Sequence, residues 1–131
     1  MKIKIGPYRK NRAFNIHIDD FDVWSLDHTL ACIIHPALVR LRDTKHGYPE
    51  LWEDGMVQHH NWTRQLHFDF IDEEVETKYL TDKWNTIMDK MIYSFGAIMN
   101  DDFLYKYDQD EWNKIQEGLD LFAKHYTSLW D

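Results

Sequence analysis

A chain of 131 residues with a formal net charge of −8 fits a single domain, residues 1–131, built around one hydrophobic core. Its composition, 44% hydrophobic and 15% aromatic, excludes disorder over most of the chain. The longest apolar run, residues 30–34, is too short to cross a bilayer, and the lone cysteine excludes an internal disulfide and favours a reducing compartment.

The start of the chain and its charge narrow the class of protein further. The first ten residues, MKIKIGPYRK, lack the apolar stretch of a signal peptide, so we expect a soluble cytoplasmic protein. Residues 1–13 contain five basic side chains and no acidic one, whereas the other 118 carry 10 basic and 23 acidic side chains, a net of −13. An acidic body repels nucleic-acid phosphates, so nucleic acid is not an expected partner. The basic segment could still contact phosphate, or it could protect the edge of a strand.

The N-terminal residues predict a β-hairpin. Apolar and polar side chains alternate over residues 12–19, with Phe14, Ile16 and Ile18 on one side, which is typical of a half-buried strand. Residues 2–5 alternate in the same way, and the intervening GPYRKN contains turn residues.

The next segment predicts a helix over residues 26–45. Ser25 is a favourable N-cap, and Leu30, Ile33, Ile34, Ala37, Leu38 and Leu41 recur at helical spacing. Pro36 predicts a kink, because it removes the bond to the carbonyl of Cys32. Gly47 is the expected residue just after the helix end.

The second half of the chain is mostly helical. Residues 48–64 predict a loop, and the alternation in QLHFDF, residues 65–70, predicts a possible third strand. A stripe of Trp84, Ile87, Met88, Met91, Ile92 and Phe95 predicts a helix over 73–99, and Trp112, Ile115, Leu119, Phe122, Tyr126 and Leu129 predict another that runs almost to the end. The predicted fold class is α+β, with the hairpin and possible third strand packed on about three helices.

Three segments carry a family resemblance: DVWSLDHTLACIIHPALVRLRDTKHGYP, WNTIMDKMIYSF and GLDLFAKHYTSLWD. In this order they resemble a family of small uncharacterised proteins encoded by tailed bacteriophages, especially phages of marine and cyanobacterial hosts. The resemblance covers about two thirds of the chain and leaves out the region around residues 50–80. It implies a phage gene product that acts in the host bacterial cytoplasm, and it brings no established activity. In that family the positions of Cys32 and His35 are usually aliphatic.

Two sets of residues are candidates for binding a divalent metal. His28, Cys32 and His35 would share one stripe of an unbroken helix and have the donor types that zinc prefers. The alternative is that Cys32 is a small core residue. Two H-x-D units, His17 with Asp19 and His67 with Asp69, would converge if their strands paired, and His59 and His60 could add a ligand. The alternative is alternation on a solvent-facing strand, and no metal or other cofactor is the favoured expectation.

A second group of candidates concerns acid–base chemistry and binding. Asp27 and His28 lie at the predicted helix start, and Asp89 could reach His28 if the helices pack together, giving an Asp–His pair for general-base catalysis or for orienting the imidazole. Lys45 and His46 are candidate binding residues at the other end, where cations also complement the negative helix terminus. No phosphate-binding glycine loop, nucleophile elbow, HExxH or EF-hand motif is present in the sequence.

These observations leave three hypotheses for function. The first is a non-enzymatic interaction module that binds a host or phage protein through an acidic, aromatic-rich surface. Its concrete version is an inhibitor of a host enzyme or defence system. The second is a small metal-dependent hydrolase or nuclease that uses the His and Asp residues. The third is a minor structural component of the virion. Exposed aromatics without a polar pocket would favour the first over the second, and the sequence leaves the oligomeric state open.

Overall fold

The computed structural model describes residues 1–49, 73–100 and 108–130. In chain order these residues form β1 (Lys2–Ile5), β2 (Phe14–His17), a 3-10 helix (Asp20–Val23), α1 (Leu26–Thr44), α2 (Glu73–Met99), α3 (Gln109–His125) and a further 3-10 helix (Tyr126–Ser128). The predicted α+β class, with a hairpin followed by three helices, is confirmed. The predicted strand 65–70 and all but the first two residues of the predicted loop 48–64 lie outside the described residues. None of the described helices is long and apolar enough to cross a membrane.

The hairpin formed by β1 and β2 leaves its apolar side uncovered. Its strands pair antiparallel, with Ile3 opposite Ile16 and Ile5 opposite Phe14. Directly opposite residues project from the same side of a sheet, so these four side chains share one face. All four are exposed, from 42% for Ile3 to 65% for Phe14. The alternation predicted the strands correctly, but the prediction that β2 is half-buried was wrong.

The start of α1 is tied to the 3-10 helix that precedes it. Ser25 is the N-cap residue, as predicted, although its hydroxyl makes no capping bond. Instead, the Thr29 hydroxyl donates to the carbonyls of Ser25, at 3.2 Å, and Asp22, at 2.9 Å. Asp27 lies in the first turn, where a carboxylate complements the positive helix terminus.

The helix α1 continues through Pro36 and ends at Thr44. Lys45 follows in an extended conformation, with φ −63° and ψ 148°, and its backbone N–H donates to the Leu41 carbonyl. The turn of the backbone at Lys45 is what ends the helix. The predicted role of Gly47 was wrong, because Gly47 does not adopt the left-handed conformation which that role requires.

The helix α2 is the centre of the core. Trp84, Met88, Met91 and Phe95 are buried at spacings of four and three, so they form one stripe along it. The other buried members of this cluster, Ala31 and Leu38, come from α1, and half-buried side chains of α3 such as Leu119 and Phe122 pack against it. The predicted stripe of α2 is therefore confirmed as the main core-forming element.

The backbones of α2 and α3 approach closely at Gly118. Ser94 is fully buried, and its hydroxyl donates to the Ile115 carbonyl at 2.8 Å. A Cβ atom on Gly118 would lie 1.9 Å from the Ser94 hydroxyl and 2.3 Å from the Lys90 carbonyl oxygen. A glycine is therefore required at this crossing, because the space of a side chain is occupied by the neighbouring helix.

Candidate protein-interaction surface

Asp89, the expected partner of His28, binds Arg42 near the other end of α1. Arg42 Nε donates to one carboxylate oxygen and Nη2 donates to the other at 3.3 Å. The carboxylate raises the pKa of the guanidinium, mainly through the hydrogen bond. Since Arg42 follows His28 by fourteen residues, the two lie roughly 21 Å apart along the helix axis. The expected Asp89–His28 pair does not form, and Asp89 instead joins α2 to α1.

His28, Cys32 and His35 differ in their surroundings. Cys32 is exposed, whereas His28 and His35 are half-buried. The His35 ring lies against α2, since a Cβ atom on Gly96 would be 3.2 Å from two of its ring atoms. Within residues 1–49, 73–100 and 108–130, no three His, Cys, Asp or Glu side chains are close enough together to hold a metal ion. The candidate metal trio is therefore not assembled among these residues, and His35 contributes to helix packing.

The first H-x-D unit forms a local pair. His17 Nε2 lies 2.9 Å from Asp19 Oδ1 at the end of β2, and both side chains are well exposed. The second unit, His67 and Asp69, lies outside the described residues together with His59 and His60. In the part of the chain that the structure describes, His17 and Asp19 thus belong to no larger cluster of metal-binding side chains.

Lys45 completes the C-terminal end of α1. Its Nζ atom donates to the Arg42 carbonyl at 3.4 Å, one of the carbonyls that the last turn leaves without a partner inside the helix. His46 is exposed immediately beyond it. The contact of Lys45 agrees with the interpretation that a cation at this position complements the helix terminus.

Exposed apolar side chains are concentrated in the first 33 residues. The hairpin face, defined as Ile3, Ile5, Phe14 and Ile16, continues beyond β2 with the exposed Ile18. The turn segment, defined as Phe21, Val23 and Trp24, follows, and Trp24 is 83% exposed. Monomeric proteins rarely expose large groups of apolar side chains without a binding role. These residues are therefore the main candidates for an interaction surface.

The helix α1 adds a third exposed group, the α1 stripe of Leu26, Leu30 and Ile33. Their spacing of four and three places them on one side of the helix, and each is about 40% exposed. In the sequence, Leu30 and Ile33 share the helical spacing of Leu38, but the core contacts of α1 are made by the buried Ala31 and Leu38 and the half-buried Ile34 and Leu41. The apolar arc of α1 is thus wider than the part that α2 covers. The number of apolar positions around α1, larger than one core-facing side needs, is the feature of the sequence that could have indicated a second apolar surface.

A buried carboxylate holds the hairpin next to the turn segment. Asp22 is 7% exposed, and its Oδ2 atom accepts bonds from the Met1 amino group and from the Asp19 backbone N–H, both at 2.8 Å. Both bonds lower the pKa of the Asp22 carboxyl, and the bond from the Met1 amino group has the larger effect. Because Met1 precedes β1 and Asp22 lies in the 3-10 helix, the hairpin face and the turn segment are fixed as neighbours.

Arg12 is the cation placed beside the hairpin face, since Lys2 and Lys4 alternate with Ile3 and Ile5 and so project from the opposite side of β1. All five basic side chains of residues 1–13 are exposed. The Arg12 guanidinium lies 5.5 Å from the ring centre of Tyr8 and 5.9 Å from that of Phe14. Arg12 Nε also donates to the Gly6 carbonyl at 2.8 Å, which holds the cation beside the turn. An apolar face with this border is complementary to an apolar patch surrounded by carboxylates.

No protein-family model, curated protein or solved structure matches this chain. The features that bear on its function are therefore its own side chains. Among the described residues, the hairpin face, the turn segment and the α1 stripe are exposed groups that lie outside the hydrophobic core cluster.

Proposed function

We propose that this protein is a non-enzymatic interaction module, a phage accessory protein that binds a host or phage protein in the host cytoplasm. The observation that carries the proposal is the exposure of the hairpin face, the turn segment and the α1 stripe within 33 residues. The partner surface that fits them is an apolar patch bordered by carboxylates, because Arg12 lies beside the hairpin face and residues 1–13 carry no acid. The surface proposed here is thus apolar with a basic border, and not the acidic surface of the first hypothesis. Inhibition of a host enzyme or defence protein is the specific activity we propose.

Trp24 is the residue on which this proposal is best tested. Tryptophan is enriched among the residues that dominate binding energy, and losing one at the centre of an interface costs about 2 kcal/mol or more. Trp24→Ala should therefore reduce capture of the partner from host extract at least tenfold. Trp130→Ala is the matched control, because Trp130 is 70% exposed but lies at the other end of the chain.

The measurement is quantitative mass spectrometry of proteins cross-linked to the wild type and to each variant. A protein that depends on Trp24, not on Trp130, and that cross-links to the turn segment supports the proposal. Equal loss with both variants, or no protein that depends on Trp24, contradicts it. Recovery of the chain mainly in purified virions would instead favour a structural role.

A further inference from the structure

Within residues 1–49, 73–100 and 108–130, no strand pairs with the outer edge of β2. The Gly6 N–H donates to the Ala13 carbonyl at 2.8 Å, which makes these residues a hydrogen-bonded pair of the hairpin. Hydrogen-bonded and non-hydrogen-bonded residue pairs alternate along an antiparallel ladder. The N–H and C=O groups of Phe14 and Ile16 therefore point away from β1. In the described residues the sheet contains only β1 and β2, and no strand adjoins this edge.

The two edges of this sheet differ in charge. Strand β1 carries Lys2 and Lys4, and lysines on an edge strand oppose pairing with another strand. Strand β2 carries no Lys, Arg, Asp or Glu. A two-stranded sheet is marginally stable, and further strands with an apolar face make it stable. The β2 edge is therefore the one suited to extension.

The charges that flank β2 favour one orientation and one occupant. Arg12 precedes the strand, and Asp19 and Asp20 follow it. If two copies pair antiparallel, the basic start of each strand lies beside the acidic end of the other, whereas parallel pairing would place like charges together. Self-pairing of identical antiparallel strands also agrees with the two-fold symmetry of most dimers.

We infer that two copies of this chain form a dimer through their β2 edges, giving a four-stranded antiparallel sheet. Centring the two-fold axis on Ile16 places Ile16 opposite its counterpart and Phe14 opposite Ile18. It also brings Arg12, at the start of each strand, towards the acidic residues that follow the other strand. In this register the outward backbone groups of the two strands face each other, and apolar side chains stay on one face. A shift of the pairing by one residue would oppose apolar and polar residues, and so it is disfavoured.

Sedimentation equilibrium of the full chain tests the dimer. The wild type should associate to a dimer, and Ile16→Lys should weaken association at least tenfold, because it places two ammonium groups opposite each other. Ile3→Lys is the matched control: Ile3 is on the same face of the hairpin but on β1, and it should leave association unchanged. A monomeric wild type at high concentration, or equal loss with both variants, would overturn the edge-paired dimer.

Cross-linking tests the register. In a background of Cys32→Ser, which removes the exposed native thiol, Ile16→Cys should form an intermolecular disulfide under mild oxidation, because opposite residues lie about 5.5 Å apart between Cα atoms. Ile3→Cys in the same background should not. A disulfide that forms equally in both variants, or in neither, contradicts this arrangement. Circular dichroism of each variant shows whether the helices are retained.

Discussion

At Gly118 the lack of a side chain decides how closely α3 approaches α2. Gly118→Ala should destabilise the protein by about 1–3 kcal/mol, since a Cβ atom would meet the Lys90 carbonyl, which cannot move without the helix. This loss outweighs the gain of up to about 1 kcal/mol that alanine brings inside a helix. Urea denaturation measures the change. Gly47→Ala is the control, because no atom lies within 4 Å of the added Cβ, and equal effects of both substitutions would contradict the close crossing.

His125 is the residue whose titration should affect stability. Its ring packs edge-on against Trp84, with ring centres 5.5 Å apart, and burial, followed by Lys124 and Lys83, lowers its pKa. The folded state then binds the proton less readily than the unfolded state, whose histidine titrates near pH 6.5. The contribution of the neutral ring is therefore present above about pH 6.5 and lost as the pH falls through the lower, folded pKa.

His125→Phe should reduce this acid sensitivity while keeping an aromatic ring against Trp84. Melting temperatures of the wild type and the variant are measured between pH 7.5 and 5. As the pH falls, their difference should shift in favour of the variant, because only the wild type loses this contribution. If the two profiles remain parallel, the protonation of His125 is not coupled to folding.

At the level of elements, α1 presents two apolar surfaces of different kinds. Leu38 is buried against α2, whereas Leu30 lies in the α1 stripe and is 41% exposed. Leu38→Ala should destabilise the chain by about 2–5 kcal/mol, the usual cost for a buried leucine. Leu30→Ala should cost less than about 1 kcal/mol, because it removes few contacts. Thermal denaturation compares them, and a large effect of Leu30→Ala would mean that the α1 stripe is covered in the folded chain.

Also at the level of elements, the hairpin shows that the sequence pattern predicts the strands but not their burial. Alternation correctly predicted β1 and β2, because period two is a property of the strand itself. Alternation did not predict the exposure of these side chains. Apolar side chains at every second position give the same sequence pattern whether they face the core or an exposed surface. The same ambiguity applies to Leu30 and Ile33, which share the helical spacing of the buried Leu38 but are exposed.

At the level of the whole molecule, the proposed dimer and the proposed partner binding are linked. Edge pairing would place two hairpin faces in one sheet, so that a single assembly offers two copies of the candidate surface. If the partner also carries two copies of its binding site, two simultaneous contacts raise the apparent affinity of the assembly above that of a single contact. The two proposals remain separable, because sedimentation reports the dimer and Trp24-dependent capture reports the partner.

The sequence by itself determined the elements of this protein: the hairpin, the start of α1 at Ser25 and the buried stripe of α2 follow from periodicity and capping, which act over a few residues. Only the tertiary structure decided which side chains meet. Asp89 contacts Arg42 and not His28, and His35 packs on Gly96 instead of joining a metal site. Such pairs depend on how far one helix is shifted along another, and that shift is set by side-chain packing across the whole interface. Spacing within one segment contains no information about it.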